Sequence, residues 1–423
     1  VQFGFSEWLS NCYFDHDLMA LVNLFDFAED DTISKRAGLL IDVLLFEMSL
    51  HTHRGVFGST HGRTYPRLIK NGRQESTASI CKLAFGMGEH HSPSSLGAVA
   101  LATSTYRPST IFEQIAKDLE TPICCKERHS LNIDDALKHG LSYDQFEDGH
   151  LYWSIQEYAH PKVLPLSQKM TETFGVRSYG NYQMYVDAYE KQIADHGKIV
   201  DPHLDCHAMT EVHIETYRTA DYLLSCAQDY RPGSPGYQQH IWQATLGIDT
   251  MVFTNHPGSD NETSRPNYWA GNGLMPRTVQ FRNVLICVHR VPKDNAFPFS
   301  HAYFPRAGFD EIVENDHWIF GRKGDGYIAV FSQSSVRWVG DEELRVDTPE
   351  NIWMCEMGHK EQWGNFEMFI NQIQTSTIHS EGLNIRYVSP SQGEMTFGWH
   401  THFKVNGTAI PLHTGKRFDN PYC

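Results

Sequence analysis

The sequence predicts a two-domain α+β protein: a helical first part over residues 1–205 and an antiparallel β-sandwich over residues 206–423. Three observations predict it. Apolar residues recur at helical spacing through the first half, side chains alternate from about Thr210 onward, and Asp201-Pro202 interrupts the helical pattern between the two. A chain of 423 residues with 40% hydrophobic, 12% aromatic and 20% charged residues is long enough and apolar enough to fold around more than one core.

The helical elements follow in order. Asp17 to Ala28 carries Leu18, Leu21, Val22, Leu24 and Phe25. Across the short Glu29-Asp30-Asp31 turn, a second helix runs from Ile33 to about Leu50 with Asp31 or Thr32 as its cap. Its Ile33, Ala37, Leu40, Leu44 and Met48 share one face, which Ile41 and Leu45 widen. Further helices are expected over Ser94–Ser104, Thr110–Leu119, Ile133–His139, Gly149–Ala159, Leu164–Phe174 and Tyr182–Ile193. Short polar links between them predict stacked helical hairpins.

Strands are expected at Val212–Tyr217, Thr250–Thr254, Val279–Val291, Trp318–Phe320, Tyr327–Ser332, Ile352–Cys355, Ile385–Val388 and Met395–Trp399. Gly324-Asp325-Gly326 and Asn406-Gly407 have the residues that hairpin turns with positive φ require.

The formal net charge of −16 disfavours a nucleic-acid partner. No run of about eighteen apolar residues is present, so no membrane span is expected. Nine scattered cysteines without a CxxC pair indicate neither a zinc ribbon nor a dense disulfide framework. The start Val1-Gln2-Phe3 suggests a processed or truncated product, so the helical part is expected to lack its N-terminal portion. There is no P-loop, no GxGxxG after a strand and no GxSxG elbow, which leaves nucleotide and α/β-hydrolase chemistry without support.

One stretch departs from the acidic average. Residues 48–74 hold Arg54, Arg63, Arg67, Lys70, Arg73, His51, His53, His61 and Tyr65 and no acid. Such an enclave either is a solvated loop after a helix or is a local field that holds an anion and moves a proton beside it. Cleaving a uronate-containing glycan by β-elimination needs a cation against the carboxylate, a base for the C5 proton and an acid for the leaving oxygen. His61, Arg63 and Tyr65 supply those types, on a loop whose Gly58 and Gly62 let backbone approach a ligand. Nineteen Tyr, nine Trp and twenty-four His suit a sugar-facing cleft, and equally suit large cores.

Other candidates are Tyr106 and Arg107, the pair His90-His91, Trp153 with Gln156 as a sugar platform, and Gln239, His240, His256 and Trp269 in the β half. Metal signals are weaker: HExxH is absent, and His301 with Asp310 is a candidate structural zinc or calcium pair.

The combination of a helical half, a β half and a Gly-rich His/Arg/Tyr loop resembles the heparinase II/III-like and alginate or chondroitin AC lyase superfamily. The β half resembles its bacterial members through Tyr268-Trp269-Ala270-Gly271, Phe309-Asp310-Glu311, the run Trp318 to Tyr327, Ser389-Pro390-Ser391-Gln392-Gly393 and Asp419-Asn420-Pro421-Tyr422. The resemblance implies an incomplete (α/α) toroid before the sandwich and a polysaccharide lyase that needs no cofactor. It further implies an acidic polysaccharide substrate and a secreted or periplasmic location. It assigns proton transfer to His61 and Tyr65, carboxylate binding to Arg63 with Arg107, and a β-domain histidine to His240 or His256. The alternatives are a glycoside hydrolase using carboxylates such as Glu89 and Asp148, and a non-catalytic glycan-binding protein.

Overall fold

The structure, a computed structural model, describes residues 2–90, 95–175, 182–198, 200–413 and 415–423. It is a mixed α+β protein with several antiparallel sheets. Helices α1 (Tyr13–Phe27) and α2 (Asp31–Leu50) form the expected antiparallel hairpin. The α2 cap is Asp30, one residue before the expected pair, and its carboxylate accepts a hydrogen bond from Thr32 N at 2.7 Å. After α2 come a small hairpin, β1 (Thr52–His53) and β2 (Val56–Phe57), and helices α3 (Pro66–Lys70), α4 (Ala78–Phe85), α5 (Leu96–Thr103) and α6 (Thr110–Lys117). Ser95 caps α5; Ser94, the expected start, and His91 lie outside the described residues.

The first correction lies between α6 and the next helices. Ile123–His129 is a strand, β3, inside the half that reads as helical. Its residues alternate between buried and half-buried, yet Glu127 and His129 occupy buried positions, which hides the alternation from a hydrophobic pattern. Residues Ile133–His139 form a 3₁₀ helix instead of an α-helix. Helix α7 (Gly149–Ser154) stops well short of Ala159, because Gln156 takes a left-handed backbone at φ 60°. Helices α8 (Leu164–Phe174) and α9 (Tyr182–His196) complete this half.

The β half begins with β4 (Val212–Arg218), β5 (Leu223–Ala227), β6 (Trp242–Gly247) and β7 (Thr250–Asn255). The single strand expected over 279–291 is a hairpin of β8 (Arg277–Phe281) and β9 (Val284–Arg290), turned at Arg282 with φ 53°. There follow β10 (Ser300–Tyr303), β11 (Glu311–Asn315), β12 (Trp318–Lys323), β13 (Gly326–Ser332), β14 (Arg337–Val339), β15 (Glu343–Val346) and β16 (Glu350–His359). Two short helices, α10 (Lys360–Trp363) and α11 (Phe366–Gln374), precede a meander. The meander runs through β17 (Ile378–Glu381), β18 (Asn384–Ser389), β19 (Gly393–Gly398), β20 (Thr401–Val405) and β21 (Thr408–Ala409), and β22 (Phe418–Asp419) ends the chain. Both expected hairpin turns are present: Lys323 pairs with Gly326, and Val405 with Thr408 across Asn406 (φ 49°) and Gly407 (φ 77°).

Nine strands form one antiparallel sheet in the order β14-β15-β10-β7-β6-β5-β4-β3-β22, and six form another in the order β11-β12-β13-β16-β9-β8. Because β3 pairs along its whole length with β4, the larger sheet crosses the 205/206 position. Leu224, Trp242, Ala244 and Val252 of the larger sheet pack against Leu285, Ile328, Val330 and Trp353 of the smaller, so the two faces make a sandwich core. Helices α1, α2, α4 and α5 cover the other face of the nine-stranded sheet, sharing a core with Val212 and Ile214. The meander and α11 cover the outer face of the six-stranded sheet. Among the described residues, no helix is long and apolar enough to cross a membrane.

The face between helices and sheet is unusually polar. Thr216 and Arg218 of β4, Ser225 of β5, and Glu127 and His129 of β3 are all buried. Arg218 donates to Ser49 O, Thr52 O and Ile115 O at 2.7, 2.9 and 2.6 Å, clasping the ends of α2 and α6 to the sheet. The planar guanidinium supplies these carbonyls with donors where α2 and α6 end, Ile115 O also accepting from Asp118 N at 3.3 Å.

Candidate functional site

The acid-free stretch is not acid-free in space. Arg54 pairs with Asp221 at 3.0 Å, Lys70 with Glu342, and Arg73 with Glu89 at 2.9 Å and Asp249 at 3.8 Å. Asp221, Asp249 and Glu342 sit in turns of the nine-stranded sheet, so these cations fasten the loop to that sheet. Arg63, like Lys70, has aromatic rings as well as an acid around it, and its rings are those of tyrosines.

Arg63 Nη1 donates to Glu7 Oε1 at 2.5 Å, and its guanidinium lies 4.9 Å from the Tyr13 ring and 6.0 Å from the Tyr237 ring. Gln156 Nε2 reaches the same Glu7 oxygen at 3.0 Å. The phenol groups of Tyr13 and Tyr65 interact electrostatically, and Arg265 lies 5.0 Å from the Tyr65 ring. Asp17, on α1, completes the group. Arg63 and Glu7 remain 20% and 17% exposed, so this cluster meets solvent.

Electrostatics differentiate its members. Burial pushes Asp17 up to about 7, with the Glu7 charge adding to the effect. Burial also raises Glu7, against the pull of Arg63. Tyr13 is pushed up to about 12, again chiefly by burial. Burial disfavours the Arg63 charge, but Glu7 and the two phenols outweigh it and hold the guanidinium protonated. The site therefore presents the Arg63 cation paired with Glu7, a carboxyl, Asp17, that is half-protonated near neutrality, and two neighbouring phenols.

Behind it lies a dry imidazole pair. His61 and His240 exchange backbone hydrogen bonds, N to O, at 3.1 and 2.8 Å, and their rings stack with centroids 5.8 Å apart. The expected meeting of the loop histidine with a β-half histidine is therefore present. Both rings are buried, however, and burial lowers His61 to about 3 and His240 to about 4, so both are neutral. His61 Nδ1 donates to Leu9 O, and Nε2 has no hydrogen-bond partner among the described residues. His240 Nε2 donates to Gln243 Oε1 at 2.9 Å, which fixes its tautomer. Of the expected proton-transfer groups, His61 is thus buried and neutral, and with His240 it stands behind Arg63. Gly62 is required here, since a Cβ would lie 2.8 Å from the Trp8 ring.

The remaining candidates are placed elsewhere. Arg107 turns back on the carbonyls of Ser104 and Tyr106, and the Tyr106 hydroxyl donates to Asp42 at 2.6 Å. Tyr106 packs on Phe25, whereas Phe14 leads through Phe57 to His61. Phe14 and Phe25 are about 16 Å apart along α1 at 1.5 Å per residue, so Arg107 does not join Arg63. Trp153 donates to Ser167 Oγ at 3.1 Å, and the left-handed break at Gln156 separates the pair as a platform.

Gln239 is buried. Buried His256 spans the Phe297 carbonyl (2.8 Å) and Leu274 N (2.8 Å). Trp269, only 5% exposed, stacks on His301 at 4.1 Å with Lys70 Nζ 4.6 Å from its ring. The His301–Asp310 metal pair is not formed. His301 uses one nitrogen on Glu343 and the other on Tyr268 O, while Asp310 accepts from Gly324 N at 2.7 Å. The hydrolase pair fares no better, for Glu89 joins Arg73 and Asp148 accepts from Ser142 N at 2.9 Å.

Sequence reasoning missed Glu7, Tyr13, Asp17, Tyr237 and Arg265. No spacing marks them, because they come from four separate segments. The metal-capable set among the described residues is Glu47, Glu127 and His129, whose donor atoms lie within 4.8 Å of one another.

No protein-family model, no curated protein and no solved structure matches this chain.

Proposed function

We propose that the chain is a polysaccharide lyase of the heparinase II/III-like type, with its helical layer part of an incomplete toroid, acting on a uronate-containing glycan. The observation that carries this reading is the partly exposed Arg63 guanidinium held over the Tyr13 ring, with the Tyr65 phenol interacting with both. Arg63 neutralises the uronate carboxylate and so acidifies C5–H. Tyr65, as phenolate, takes the C5 proton; the C4–O4 bond breaks as C4=C5 forms. The departing O4 receives a proton from Tyr13 or from the protonated form of Asp17. Arg63 replaces Arg107 in this account, and His61 positions the loop from behind.

A second reading rests on Glu7 and Asp17, two acids whose proton affinities are both raised by burial, one of which is a plausible general acid for hydrolysis. Incubation with a panel of acidic polysaccharides separates the two. Ultraviolet absorbance of an unsaturated uronate, lost in Tyr65→Phe, supports the lyase; new reducing ends without absorbance support the hydrolase; saturable binding with neither product overturns both in favour of a glycan-binding protein.

A further inference from the structure

We propose that Arg265 holds a second anionic group of the substrate, a carboxylate or sulfate ester on the sugar next to the uronate at Arg63. The chain then selects glycans with acidic groups on neighbouring sugars over those whose uronates alternate with neutral sugars. The assignment rests on the lyase reading for where the glycan lies.

The two guanidiniums of the cluster are differently engaged. Arg63 stands over Tyr13 with its charge compensated by Glu7 at 2.5 Å. Arg265 stands over the neighbouring phenol, 5.0 Å from the Tyr65 ring, and forms no ion pair among the described residues. Its hydrogen bonds run from Nη1 to main-chain carbonyls, to Ser264 O at 2.7 Å and to Glu262 O at 3.4 Å. Nε and Nη2 have no partner among the described residues, and the side chain is half-buried. These two nitrogens form the edge of a guanidinium that meets a carboxylate or sulfate side-on with two parallel hydrogen bonds. In a chain of net charge −16, which repels polyanions as a whole, a cation without an acid partner beside the phenols is where an anion is drawn.

The loop that carries Arg265, between β7 and β8, is fastened by its own side chains. Asn261 Oδ1 accepts from Thr263 N at 2.9 Å. Asn267 Oδ1 accepts from Trp269 N and Ala270 N at 3.0 and 2.8 Å, and Asn267 Nδ2 donates to Glu262 O at 3.1 Å. Trp269 is buried against Phe253 and Tyr303. Arg265 is thus presented on a preformed loop, so little ordering is left for the ligand to impose.

The test is calorimetric binding of hexasaccharides to the full chain. Those from polygalacturonate carry a carboxylate on every sugar, those from chondroitin sulfate a sulfate beside each uronate, and those from hyaluronan a neutral sugar there. Wild type should bind one of the first two about tenfold or more tighter than hyaluronan, and which one identifies the anion as carboxylate or sulfate. Arg265→Gln should weaken that ligand by about tenfold or more and hyaluronan by less than about twofold. Arg265→Lys should remain weaker than wild type, because an ammonium lacks the fork. Equal wild-type affinity for all three ligands, an equal loss on all three in Arg265→Gln, or no binding of any overturns the proposal. If Arg265→Gln does not fold, the wild-type ratio decides. Absorbance of unsaturated uronate, followed on the same ligands, keeps the two readings apart: binding that depends on Arg265 without absorbance leaves the second contact standing and removes the lyase, and absorbance with binding indifferent to Arg265 removes only the second contact.

Discussion

His61 and His240 are joined by two backbone hydrogen bonds across 179 positions of sequence, and their neutral rings stack in a region closed to water. This bridge seats the Arg63 loop beside the segment that leads into β6.

Tyr65→Phe removes one oxygen from a half-buried side chain whose hydroxyl meets Tyr13. Formation of unsaturated product should fall by roughly 100-fold or more, the usual contribution of a proton-transfer group. Tm should stay within a few degrees of wild type. Retained turnover would remove Tyr65 from the reaction.

Arg63→Ala leaves the Glu7 carboxylate without its 2.5 Å partner at a largely buried position. A loss of about 1.5–3 kcal/mol of stability is expected from a charge-assisted hydrogen bond of this kind. Arg63→Lys should recover part of that stability but not substrate affinity, since a lysine cannot reproduce a fork geometry against a carboxylate. Denaturant midpoints and KM measured on both variants separate the two effects.

Arg218→Met should be among the most damaging changes in the chain. It removes the donor from the carbonyls of Ser49 and Thr52 in a buried setting, each worth about 1–3 kcal/mol when left unpaired, and leaves Ile115 O with Asp118 N alone. The expected result is a variant that is aggregated or has lost more than about 3 kcal/mol of stability in urea unfolding. A shift within error of wild type would mean that water replaces the guanidinium.

Stability should fall above neutrality. Buried imidazoles are held low, His53, His61 and His289 at about 3 and His129, His207, His240 and His256 at about 4, chiefly by burial. As pH falls below about 6.5 the unfolded chain takes up protons that these rings cannot, so each costs stability at up to about 1.4 kcal/mol per pH unit. Acids raised by burial act oppositely. Asp17, Glu47 and Glu157, raised to about 7, 8 and 8, bind protons in the folded state that the unfolded chain has released, so their contribution fades as pH rises through those values. The two groups oppose each other below about pH 6.5, whereas above it the imidazoles are neutral in both states and only the acids still act. Urea midpoints should therefore fall from about pH 6.5 to about 8.5; a flat or rising profile over that range would contradict the buried assignment of these acids.

The sequence alone determined the elements whose signals are local. The α1–α2 hairpin and helix α8 follow from side-chain periodicity, as do most strands after Thr210, and the turns at Gly324-Asp325 and Asn406-Gly407 follow from residues that tolerate positive φ. It also singled out His61, Arg63 and His240, of which the first and last do meet. Tertiary structure decided the rest. Strand β3 is buried with Glu127 and His129 on its inner face, a pattern that reads as polar until Arg417, more than 280 residues away, is brought against it. The cationic stretch reads as a free field until acids from distant turns fold onto it, leaving Arg63 with Glu7, Tyr13 and Tyr237. Periodicity reports which face of an element is dry, whereas charge compensation and side-chain convergence depend on which segments pack together, and no spacing along the chain encodes that.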